Sequence, residues 1–286
     1  MPELPEVETV RRGLDRHVVG RRVRRVEVGR ERTVRRTSAA ALIDGLTDTT
    51  ILAANRRGKY LLLPLDTGDE VMIHLRMSGQ VLVAAEGAVR PAHTHVVMHL
   101  DARDGDETGT RHELWFVDPR TFGEVVVFDP TNVAAEIPDL AALGVDPIVD
   151  DLSLPALRAI LRSRRRLLKP LLLDQHLIAG IGNIYADEIL HESKLRPDRI
   201  SNELSLTSER RLHAAIHRIL REAIDAGGST LRDAQYVDLF GDGGSYQDAH
   251  LVYGRAGERC RTCGVGWIRL TVSAQRSTHY CPRCQR

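Results

Sequence analysis

The chain has 286 residues, 42% of them apolar. No apolar run approaches the roughly 18 residues that a membrane span requires, so a membrane protein is excluded and about two soluble domains are expected. Basic and acidic residues nearly cancel, 40 against 39, so overall charge does not point to a nucleic-acid partner.

The start, Met1-Pro2-Glu3-Leu4-Pro5-Glu6, is acidic and broken by prolines, unlike the basic and apolar regions of a secretory signal; a cytoplasmic location is expected. A helix follows Pro5, with Val7, Val10 and Leu14 near helical spacing and Gly20 beyond its end. Short β-type runs then alternate with turn residues at 23–28, 60–65, 70–75, 80–84, 94–100, 113–117 and 124–128. Such spacing predicts a sandwich or barrel. Residues 129–151, rich in Asp, Pro and Ala, read as a linker between domains. From Leu154 to about Ala226 apolar residues recur at three- and four-residue spacings, and Gly227-Gly228 ends this helical stretch.

Charge is unevenly placed. Residues 260–286 carry Arg261, Arg269, Arg276, Arg283 and Arg286 and no acid. Arg21, Arg22, Arg24 and Arg25, and Arg164, Arg165 and Arg166, form two further clusters that would suit either phosphates or a solvated surface. Lysine occurs only at positions 59, 169 and 194, against 37 arginines. An ammonium can lose its proton and a guanidinium cannot, which marks Lys59 and Lys169 for attention.

Cys260-x2-Cys263 and Cys281-x2-Cys284 are separated by 17 residues and no other cysteine is present. That is the spacing of a four-thiolate zinc site, with disulfides or free thiols as the alternatives. Four sulfur ligands leave no open coordination position, so the metal would be scaffolding for the hairpin that carries Arg276. Gly180-Ile181-Gly182-Asn183 precedes a helix start, whose free N–H groups can hold a phosphate, although a plain tight turn fits equally well. The basic run from Arg164 to Lys169 favours the phosphate. Pro2, freed of Met1, would present a secondary amine beside Glu3 and Glu6. An α-amino group with a pKa of about 7.7 to 8.0 is partly neutral in the cell and can attack an electrophilic carbon. A stiffened arm is the other reading of those prolines.

Taken together, Pro2-Glu3-Leu4-Pro5-Glu6-Val7-Glu8, Gly58-Lys59-Tyr60, Asp118-Pro119-Arg120 through Phe122-Gly123, the Gly180 to Tyr185 motif and the closing cysteine hairpin resemble bacterial formamidopyrimidine-DNA glycosylase, from Pro2 to Gln285. The resemblance implies an α+β protein of two domains: an N-terminal β-sandwich flanked by helices, then a helix-two-turns-helix domain with a four-Cys zinc finger hairpin. Expected boundaries are 1–130 for the sandwich, 131–151 for the linker, 152–254 for the helical domain with a lesion-recognition loop, and 255–286 for the zinc finger. It implies excision of oxidised purines from double-stranded DNA and cleavage of the strand at abasic sites by a monomer. One structural Zn²⁺ is expected and no nucleotide or organic cofactor.

By the same resemblance Pro2 is the Schiff-base nucleophile, Glu3 the acid that assists sugar opening, Lys59 the group linked to β-elimination, and Arg276 the phosphate grip linked to δ-elimination. His93, Arg120, Arg164 and Asn183 match DNA contacts, and Lys169 is expected beside them. Met77, Arg120 and Phe122 match side chains that fill the hole left by an extruded nucleotide, a step that needs replacements for lost stacking. The cysteine spacing exceeds by one residue the roughly 16 expected of the family, a change a hairpin absorbs. Thr121 stands where many members have a basic residue. The 227–254 segment, with Ser229, Thr230 and Tyr236, matches the loop that closes over the flipped base. Two rival readings exist. An endonuclease VIII-type enzyme for oxidised pyrimidines is disfavoured by Leu4 and Val7, since that group typically begins Pro-Glu-Gly-Pro-Glu-Ile. A non-catalytic lesion-binding protein is disfavoured by intact Pro2, Glu3 and Lys59.

Overall fold

The computed structural model describes residues 1–103, 109–231 and 236–286, so residues 232–235 of the expected lesion-closing loop lie outside the described residues. Two compact units emerge, Met1–Ala142 with Ala226–Ser245, and Leu143–Asp225 with Tyr246–Arg286.

In the first unit, α1 (Leu4–His17) precedes β1 (Val23–Val28) and α2 (Ala39–Leu46). The strands β2 (Asn55–Arg57), β3 (Tyr60–Pro64), β4 (Glu70–His74), β5 (Gln80–Ala85), β6 (Thr94–Leu100), β7 (His112–Val117) and β8 (Glu124–Phe128) follow. They form two antiparallel sheets of four, ordered β1-β6-β7-β5 and β2-β3-β4-β8. Inward residues of both sheets share one core, Val81, Val96, Met98 and Phe116 from the first and Leu61, Leu63, Ile73 and Val125 from the second. This is the expected sandwich. Val7, Val10 and Leu14, one face of α1, are fully buried in the same core. At roughly 1.5–3 kcal/mol for each large apolar side chain, they anchor the helix on β2 and β3.

The expected linker contains two one-turn helices, α3 (Val133–Glu136) and α4 (Pro138–Ala141), within the first unit. Residues 226–245, expected with the helical domain, also pack here. Tyr236 and Leu239 are buried in the sandwich core, and Val83 on the edge strand β5 donates its N–H to Leu239 O at 2.9 Å. An edge that would otherwise present unpaired backbone groups is thereby partly covered.

In the second unit, α5 (Leu154–Ser163), α6 (Leu168–Leu172), α7 (Asn183–Glu192) and α8 (Leu206–Asp225) precede a hairpin of β9 (Arg269–Ser273) and β10 (Arg276–Tyr280). Helix α7 is buried on nearly every side, as its contacts with α6, α8 and β10 require. Its acids bind protein groups. Glu188 accepts backbone N–H bonds from Leu251, Val252 and Tyr253 at 2.8–3.0 Å, and its burial raises its pKa. Among the described residues no helix is long and apolar enough to cross a membrane.

Candidate active site and nucleic-acid interface

Helix α1 starts where the sequence places the nucleophile. Pro2 and Glu3 are buried, Glu3 is the N-cap, and Glu6 three residues on closes a capping box by accepting the Glu3 N–H at 2.8 Å. The other oxygen of Glu6 accepts the Ser229 N–H at 2.7 Å, so one buried carboxylate fixes both the backbone beside Pro2 and the start of the 226–245 segment. Gly228 makes this approach possible. Its φ is +78° and a Cβ there would stand 2.8 Å from Glu6 Oε1. Within the segment, Tyr236 donates its hydroxyl proton to Gly227 O at 2.9 Å, and Thr230 donates to Tyr236 O at 3.0 Å. Burial, with the Glu6 charge adding to it, pushes the Tyr236 phenol up, so it remains a neutral donor.

Lys59 follows Gly58 at the turn between β2 and β3 and is buried. The buried Arg56 ties that turn to α1: Nε donates to Glu8 Oε2 at 3.0 Å and Nη1 to Gly58 O at 2.9 Å. Thus the hairpin that carries Lys59 is fixed to the helix that begins just after Pro2 and Glu3. Across from it, His74 Nδ1 accepts the Arg76 N–H at 3.0 Å. Its pKa lies well below the usual imidazole value because of burial first, then of the cations Arg76 and Lys59.

Asp118 organises the candidate wedge. Fully buried, it accepts Ser78 Oγ–H at 2.6 Å, Arg120 N–H at 3.1 Å and Gly123 N–H at 2.7 Å, while its own N–H donates to His93 O at 3.0 Å. Three loops meet on this one residue, carrying Met77, His93, and Arg120 with Phe122. All four of these side chains are exposed. The Arg120 guanidinium lies 4.9 Å from the centre of the Phe122 ring, presenting a flat cationic and aromatic surface. Arg76, His93 and Thr121 have left-handed backbones, at roughly 1 kcal/mol or more each, a local strain of the kind that clusters at working sites.

In the second unit, Arg164 is exposed and caps the C-terminal end of α5. Gln175 ties down the glycine turn by accepting the Gly180 N–H at 2.9 Å and donating to Ile181 O at 2.8 Å. Gly182 caps α7, and Asn183, at its first turn, donates Nδ2–H to Ser277 Oγ at 3.2 Å. Arg276 opens β10 directly after the Ala274-Gln275 turn and is exposed. The hairpin therefore brings Arg276 and Asn183 to neighbouring positions.

Lys169 requires a correction. It is fully buried and lies 2.6 Å from Asp187 Oδ1, with Nζ donating to Ser277 O and to Thr278 Oγ1 at 2.9 Å each. An ammonium enclosed in this way cannot reach a phosphate. It joins α6 and α7 to the strand bearing Arg276, because α6 turns it inward between Leu168 and Leu172.

The four cysteine sulfurs all lie within 4.8 Å of one another, with Cys260 to Cys284 at 3.8 Å and Cys263 to Cys281 at 3.9 Å. Ligands 2.3 Å from a tetrahedral centre stand about 3.8 Å apart, so the set fits a four-thiolate metal. The sulfurs are too far apart for disulfides. Gly266 leaves the space: a Cβ there would lie 2.7 Å from Cys281 Sγ. Its N–H points at Cys263 Sγ at 3.3 Å, and such backbone donors bring that thiol down to about 6. The cluster docks on α7 through His191, which contacts Thr262 Oγ1 at 2.8 Å and Gln285 Oε1 at 3.2 Å.

Sequence reasoning did not find the supports. Glu6, Arg56 with Glu8, Ser78 with Asp118, and Asp187 hold the candidate groups without being among them. Only Glu6, at capping-box spacing, and Asp118, at the head of a turn, left a local signal.

Residues 1–125 match the formamidopyrimidine-DNA glycosylase N-terminal domain and residues 143–235 the formamidopyrimidine-DNA glycosylase H2TH domain. The chain is 43% identical to the formamidopyrimidine-DNA glycosylase of Heliobacterium modesticaldum, over 100% of both. It is 45% identical to that of Salinispora arenicola, over 100% of this chain and 96% of the relative. Among solved structures, the Lactococcus lactis Fpg in complex with abasic-site DNA matches with a TM-score of 0.87 and 36% identity over 99% of each chain. The wild-type Lactococcus lactis Fpg with DNA containing N7-benzyl-Fapy-dG also matches at 0.87 and 36%, over 100% of each. The chain belongs to the formamidopyrimidine-DNA glycosylase family.

Proposed function

We propose that this protein is a bifunctional base-excision repair enzyme, a DNA glycosylase and abasic-site lyase acting on oxidised purines such as 8-oxoguanine and formamidopyrimidines in double-stranded DNA. The observation that carries the reading is the head of α1, where Pro2 is held by the Glu3–Glu6 capping box in a chain of this family. Once Met1 is removed, the Pro2 amine attacks the sugar C1′ and displaces the base, with Glu3 as the acid that opens the ring. The resulting iminium acidifies the C2′ proton. Its loss, linked to Lys59, expels the 3′ phosphate; Arg276 grips phosphate and assists departure of the 5′ phosphate, and water then releases the sugar fragment from Pro2. Met77, Arg120 and Phe122 replace the extruded nucleotide in the stack, an exchange that offsets a few kcal/mol of unstacking. His93, Arg164 and Asn183 hold phosphates.

The four cysteines would hold one Zn²⁺, which, with every position taken by sulfur, supports the hairpin and supplies no chemistry. The enzyme acts as a cytoplasmic monomer without nucleotide or organic cofactor. Both relatives above bear the formamidopyrimidine name, which favours oxidised purines over the endonuclease VIII-type reading and catalysis over passive lesion binding.

The test is incubation of Met1-processed protein with a duplex carrying one 8-oxoguanine opposite cytosine, with sodium borohydride, resolved on a denaturing gel. A covalent adduct that disappears in Pro2→Gly and in protein retaining Met1 is expected, because Met1 turns the Pro2 nitrogen into an amide. Full adduct in a Met1-retaining sample would overturn the mechanism. An adduct with oxidised pyrimidine alone would overturn the substrate class, and none with either would leave a binding protein.

A further inference from the structure

Several arginines of the second unit are matched by acids. Arg158 and Arg162 share Glu209, Arg166 meets Asp174, and Arg218 meets Glu192 and Glu222. One group is different. Lys194, Arg199, Arg211, Arg283 and Arg286 line a single cavity of about 430 Å³ that has, among the described residues, no acidic side chain in its wall. The adjacent Asp198 is already held by Arg196 at 2.6 Å.

The cavity is built from fixed parts. Lys194 sits past the end of α7 in a left-handed conformation, φ +61°, and its carbonyl accepts the Arg286 N–H at 3.2 Å. Gln285 donates to Leu195 O at 2.8 Å, holding the 283–286 segment against the same corner. From the other side Ser208, in the first turn of α8, receives Arg211 Nη2–H at 3.3 Å. Five like charges around one open cleft repel each other, and their field lines focus there. Their mutual repulsion is relieved by an anion of matching multiplicity. Four of the five are guanidinium forks, whose planar paired donors match phosphate oxygens. The volume lies within the roughly 300–1,000 Å³ of ligand sites.

We propose that this cavity is a second phosphate-binding site, its basic side chains having no part in lesion handling although Cys284 of the metal site borders it. Its ligand is a run of phosphate groups, either backbone phosphates of the bound DNA or a free polyphosphate.

The test uses full-length, zinc-loaded Lys194→Gln/Arg211→Gln protein, with two readouts beside wild type. One is the slope of log K against log salt for a long lesion-free duplex. The other is calorimetric titration with inorganic tripolyphosphate. If DNA phosphates occupy the cavity, the slope becomes shallower by about 1.8, at about 0.9 for each phosphate no longer neutralised. If a free polyphosphate does, the slope stays and tripolyphosphate binding weakens by about tenfold or more, as removal of two charged donors requires. An unchanged slope together with unchanged or undetectable tripolyphosphate binding overturns the proposal. Should the double variant fail to fold, Arg211→Gln alone reads the same two quantities, with a slope change of about 0.9. Excision from a short lesion duplex serves as the folding control.

Discussion

Replacing Lys169 by Met separates two roles that predict opposite results. Were the ammonium a phosphate ligand, the variant would fold normally and its salt slope for DNA would fall by about 0.9. The structure assigns it to Asp187 at 2.6 Å with both side chains fully buried. Removing the cation leaves Asp187 with only the His279 bonds, at 2.8 Å to N–H and 3.2 Å to Nδ1, and strands the carbonyl of Ser277. Breaking one half of a buried pair costs about 3–5 kcal/mol, whereas replacing both halves by apolar groups is often neutral. Lys169→Met should therefore lose about 3–5 kcal/mol in urea unfolding, and Lys169→Met/Asp187→Leu should recover most of it. Strand cleavage should fall with the hairpin that carries Arg276. A stability loss below about 0.5 kcal/mol, joined to the shallower salt slope, would refute this account.

Gly228→Ala should cost about 2 kcal/mol or more in urea unfolding, since the new Cβ meets Glu6 Oε1 at 2.8 Å on a backbone with φ +78°; a change below about 0.5 kcal/mol would mean the segment shifts freely. Chelation of the metal should loosen the Cys260 to Cys284 hairpin and abolish strand cleavage, with Zn²⁺ restoring both; cleavage that survives verified metal loss would remove the scaffolding role. His250 has its pKa lowered to about 4 by burial, so it folds neutral, and the stability it contributes is present above the ordinary value of 6.5 and lost as pH falls towards 4. Between pH 7 and 5.5 this one group should cost wild type on the order of 1 kcal/mol that His250→Gln does not lose, read by urea unfolding at each pH.

What the sequence disclosed followed the strength of its local signals. The run Thr94–Leu100 is β-rich over seven residues and falls where the strand lies. Asn55–Arg57 is three polar residues made into a strand only by pairing with β3, and nothing local announces it. Helix α2 buries just Leu42 and Leu46, too little for a periodicity, although Ser38 caps it by accepting the Ala41 N–H at 3.1 Å. Among site residues, the four cysteines were legible because metal geometry dictates spacing. Lys169 was not, because a run of basic residues does not say which member a short helix turns inward. Nor does chain order reveal that Tyr236 and Leu239 belong to the sandwich core.

That last arrangement bears on how the chain is made. Strand β5 is complete by residue 85, yet the Leu239 carbonyl that covers part of its edge emerges only after all of 143–225. During synthesis the first unit must wait with that edge open and a gap in its core where Tyr236 and Leu239 belong. Unpaired edges and exposed core are the surfaces on which partly folded chains aggregate. A ribosome stalled before residue 236 would hold a sandwich that chaperones still recognise as unfinished.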